Sequence, residues 1–175
     1  NSSVRIAVAE ACGNIGDKDW TRDILESLQN DTNPFVRIVV AEACGNIGDN
    51  DWTRAILQSL QNHPNLFVKM AVAEACGNIG ENDWTRAILE SLQNDTNLIV
   101  RIAVAKACGN IGDKAWTRDI LESLQNDTDD DVRRAVADAC GNIGDNDWTR
   151  AILQSLKEDT SAFVKICVVE ALLKN

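Results

Sequence analysis

Apolar residues along this chain return at steps of three and four, and the whole pattern returns every 32 residues. Val36, Val40, Ala43, Cys44 and Ile47 share one helical face, and Trp52, Ile56, Leu57 and Leu60 share another. The pair recurs over 1–32, 33–64, 65–96, 97–128 and 129–160, with a half repeat at 161–175. Alternation of period two is absent, so strands are not expected. Asn33 is placed to cap the first helix and Pro34 suits its first turn. Gly48 is the expected terminator, and Asp49 the expected cap of the second helix. Gly45 interrupts the first helix at a cost, which a close crossing by a neighbouring helix would explain.

The fold class expected is all-α: one α-solenoid over 1–175, built from stacked two-helix repeats. Each hairpin alone cannot bury its apolar stripe, but neighbours can bury it for one another.

Composition narrows the function. The 175 residues are 45% hydrophobic and 25% charged, which is ordinary for a globular chain. A net charge of -10 disfavours nucleic acid, whose phosphates need clustered cations. No apolar run approaches the roughly 20 residues of a membrane span, so no membrane partner is expected. Five of the six cysteines fall one per repeat, and equivalent positions in stacked helices stand too far apart to bridge. With no C-x-x-C and a single histidine, His63, neither a metal nor another cofactor is expected. Buried, reduced thiols point to a cytoplasmic setting.

The run VRIAVAEACGNIGD resembles the V-R-x-A-A-x-A-L-G-x-I-G-D signature of HEAT-like repeats, the short kind first noted in bilin lyases. The resemblance spans the chain. Cys44 and its equivalents replace the usual Leu, and Trp52 replaces the usual Ala of a D-x-x-A motif. A larger Trp facing a smaller Cys would conserve core volume. The resemblance implies that the Val-Arg helices line a concave surface. It also implies similarity to artificial scaffolds of this repeat, whose randomised positions lie on that face.

The differences between copies point to the same face. Ile6, Ile38, Met70, Ile102 and Ile166 share one repeat position, but the fifth repeat has Arg134 there. Three residues before it, Asp131 replaces Phe35, Phe67 and Ile99. An apolar pair exchanged for an opposite-charge pair marks a surface position. The candidate binding residues are therefore Phe35, Ile38, Glu42 and Asn46, then Phe67, Met70, Glu74 and Asn78. Ile99, Ile102, Lys106, Asn110, Asp131, Arg134 and Asp138 continue the face. Packing between repeats is the competing role for its large apolar members. The Trp and Cys ladders belong to the core stripes, and Lys18, Asp19, Arg22, Asp23 and Glu26 form a solvated outer face.

Catalysis is not expected, because a repeated surface offers no convergence of unlike groups. The expected function is a non-catalytic interaction scaffold or sensor for a protein or peptide, with basic partners favoured. Two alternatives stand beside it. One is an accessory or chaperone-like subunit of an enzyme system, as in bilin lyases. The other is a designed or amplified scaffold that self-assembles end to end through its terminal helices.

Overall fold

A computed structural model describes residues 1–174, which form eleven α-helices and no strand. The chain divides into two compact units, Asn1–Leu92 and Gln93–Asn175. The first holds α1 (Ser2–Ile15), α2 (Asp19–Leu28), α3 (Pro34–Ile47), α4 (Asp51–Leu60), α5 (Leu66–Ile79) and α6 (Asp83–Leu92). Here α3 packs between α1 and α5, while α2 leans on α1 and α3, and α4 on α3 and α5. The second holds α7 (Leu98–Ile111), α8 (Ala115–Leu124), α9 (Asp130–Ile143), α10 (Asp147–Leu156) and α11 (Ala162–Lys174). There α9 packs between α7 and α11, with α8 and α10 behind them. The architecture is an all-α repeat solenoid. No described helix is long and apolar enough to cross a membrane.

Each first-type helix from α1 to α9 begins on an Asn or Asp cap; the Asn33 carboxamide accepts from the Phe35 amide at 2.9 Å. It ends at a glycine of positive φ, 101° at Gly48, a conformation that side chains with a Cβ avoid. The second-type helix starts one residue later than expected. Asn50, not Asp49, is its cap, accepting from the Thr53 amide at 2.9 Å. The Thr53 hydroxyl is fully buried, donates to the Gly48 carbonyl at 2.8 Å and accepts from the Asn50 amide. Asp49 is thereby free to act elsewhere: it accepts the Trp84 indole N–H at 3.0 Å, as Asp17 does from Trp52 and Asp113 from Trp148. These three tryptophans thus lay their rings on the core and tie their own hairpins to the preceding turn.

The arginine of the Val-Arg pair fixes the far end of its own repeat. Arg101 grips Asp127 with two bonds of 2.7 and 3.1 Å, and Arg133 grips Asp159 with 2.7 and 3.0 Å. Arg133 also donates to the Asp127 carbonyl at 2.7 Å, joining consecutive turns. In the second repeat His63 takes the aspartate's place, and Arg37 donates instead to the backbone carbonyls of Asn30 and Asp31. All six cysteines are free and buried. Burial pushes the thiols of Cys44, Cys76, Cys108 and Cys140 up to about 12, so they stay protonated and inert.

Candidate binding surface

A 32-residue register gives every first-type helix the same outward positions, and in the first unit these make a strip across α1, α3 and α5. Phe35 is 63% exposed and Phe67 46% exposed, while Ile38 and Met70, three residues on, are half-buried. Four residues further along stand Glu10, Glu42 and Glu74, and then Asn14, Asn46 and Asn78. Glu10, Asn14, Glu42 and Asn46 line a cleft of about 140 Å³ floored by Val39 and Ala43. Partial desolvation pushes the Glu42 carboxyl above its ordinary range, and the like charges of Glu74 and Glu10 push it further. The strip thus pairs apolar side chains with carboxylates that repel one another.

The equivalent strip of the second unit has a different charge. Ile99 and Ile102 are half-buried on α7, and Lys106 and Asn110 are exposed. On α9, Arg134 donates to Asp131 at 2.8 Å, and its guanidinium lies 6.0 Å from the Phe163 ring of α11. The Arg134 Nε is buried without a hydrogen-bond partner. Ile102, Lys106, Asp131, Arg134 and Asp138 surround a cleft of about 200 Å³, closed by Ala135. All of these but Ala135 were expected from the sequence. Lys106 stands where the first unit has glutamates, so this cleft carries both signs.

Sequence reasoning passed over Glu10 and Asn14, although they occupy the repeat positions of Glu42 and Asn46. Asp138, Cys167 and Glu170 bring three donor atoms within 4.8 Å of one another. Arg134 lies beside Cys167 and already supplies a cation there. On the second-type helices, Arg22–Glu26, Arg86–Glu90 and Arg118–Glu122 form the i,i+4 pairs of a solvated face, at 2.7–2.8 Å.

The sequence profile of HEAT repeats matches residues 1–75, 21–101 and 85–173. No curated protein matches the chain. Among solved structures, the CpcE–CpcF complex of phycocyanin lyase from Nostoc is similar with a TM-score of 0.66 at 17% identity, over 97% of this chain and 70% of that one. An engineered protein is similar with a TM-score of 0.61 at 21% identity, over 98% and 88%. A designed armadillo repeat protein in complex with the peptide (KR)4 gives 0.60 at 18%, over 97% and 90%. At these identities the likeness concerns the fold alone.

Proposed function

Given that the chain belongs to the HEAT repeat family, we propose that it is a non-catalytic scaffold that binds a protein or peptide on its first-type helices. The observation that carries this is the first unit's strip, where exposed Phe35 and Phe67 stand beside Glu10, Glu42 and Glu74. Large side chains exposed at successive copies of one position favour contact with another molecule over packing within the fold. The mutual repulsion at Glu42 favours a cationic partner, whose arrival would relieve it. The partner expected is a segment alternating basic and apolar side chains. Rigid helices would hold the strip ready, so little conformational entropy is lost on binding. The armadillo protein bound to (KR)4 lends the reading a precedent in a similar fold.

The test uses two labelled peptides, one alternating arginine and leucine, the other glutamate and leucine. Fluorescence anisotropy should report saturable, salt-sensitive binding of the first and none of the second. Equal binding of both, or of neither, overturns the proposal.

A further inference from the structure

The cleft of the second unit is the first unit's cleft built again three repeats along. Lys106 stands at the repeat position of Glu10, Asp138 at that of Glu42, and Ala135 at that of Val39. Glu10, Glu42, Glu74, Asp138 and Glu170 all carry a carboxylate at one position of the first-type helices, and Lys106 alone an ammonium. That ammonium is not tied into the fold. Lys106 is exposed and makes no hydrogen bond or ion pair among the described residues. The other cation of this cleft is already answered: Arg134 donates to Asp131 at 2.8 Å, and their charges cancel. Lys106 and Asp138 are left to set the sign of the cleft, as Glu10 and Glu42 do in the first unit.

We propose that Lys106 is a specificity-determining residue: its ammonium bars the basic segments taken by the first unit from the equivalent surface of the second. The chain then holds one such partner and not two. This rests on the first unit being a site for alternating basic and apolar side chains. The second unit has the other ingredients of that site. Ile99 and Ile102 are half-buried apolar side chains at the positions of Phe35 and Ile38, and Asp138 lines the cleft beside them. A guanidinium arriving at the first cleft meets two carboxylates, Glu10 and Glu42. At the second it meets one carboxylate and a like charge that no partner neutralises. Exchanging attraction for repulsion at one near contact on a wet surface changes affinity by about tenfold. Specificity of this kind comes from a repulsive element placed on an otherwise competent surface. With no pair to keep, the ammonium contributes little to the fold, so reversing it probes recognition rather than stability.

Isothermal titration of the whole chain with a short peptide alternating arginine and leucine counts the sites. The parent should bind one peptide. Lys106→Glu should bind two, with helical circular dichroism and melting unchanged, and its added site should weaken as salt rises. Placing Asp138→Asn in the same variant should return the count to one. Lys106→Gln removes only the repelling charge; it replaces the reversal if that perturbs folding, and should show a second, weaker site. A parent that binds two peptides, or Lys106 variants that stay at one, overturns the inference and leaves the first unit's site in place. Binding to neither parent nor variant overturns both.

Discussion

A Cβ built on Gly45 would stand 2.8 Å from the Cα of Ala75, so α3 and α5 meet there almost backbone to backbone. Gly45→Ala sets two effects against each other. The helix gains about 1 kcal/mol of propensity, while overpacking against an unyielding backbone costs about 1–3 kcal/mol. The clash should win, with urea unfolding shifted to lower concentration by about 1 kcal/mol of stability. A neutral or stabilising effect would show that the helices separate freely.

Arg133 holds the Asp159 carboxyl below its ordinary range, and Arg5 does the same for Asp31. A depressed folded value means that the stabilisation is complete above the unfolded pKa of about 3.9. It disappears as the pH falls through the lower, folded value. The double variant Asp31→Asn, Asp159→Asn should therefore be less stable than the parent at pH 7, and the gap should close toward pH 2. A gap independent of pH would place the loss elsewhere than in these charges.

Glu42 has the opposite sign. Its raised carboxyl makes stability decline as the pH climbs from the ordinary glutamate value, about 4.3, through the folded one. Glu42→Gln should melt above the parent at pH 7 and equal it near pH 4. The same variant should bind the arginine–leucine peptide less well. Lower stability at pH 7 would mean that the carboxylate has a favourable partner.

Cys44, Cys76, Cys108 and Cys140 should resist an aromatic disulfide reagent in the folded protein and react on denaturation. Rapid labelling of any of them in native buffer would show that its repeat opens locally.

Much of this architecture is legible from spacing. The stripe Val36–Val40–Cys44 is buried as its period requires, and Gly45 meets the close crossing that its cost implied. Asp131 and Arg134 form their pair because three residues of helix bring them together. The cap of α4 escaped because Asp49 and Asn50 are both good caps; Asn50 accepts from the Thr53 amide, while Asp49 turns to the Trp84 indole. The grip of Arg133 on Asp159 escaped because helical periodicity says nothing of contacts 26 residues apart. For the candidate strip, periodicity identified a common face and left its exposure open, which depends on how closely neighbouring helices approach.

The double variant Phe35→Asp, Phe67→Asp asks most directly whether that strip is a docking surface. Followed by thermal melting and by anisotropy with the arginine–leucine peptide, it should keep its stability within about 1 kcal/mol, as exposed positions do. Affinity should fall by at least about tenfold, or about 1.4 kcal/mol. Large destabilisation with unchanged affinity would contradict the account, making the two phenylalanines part of the fold's own packing.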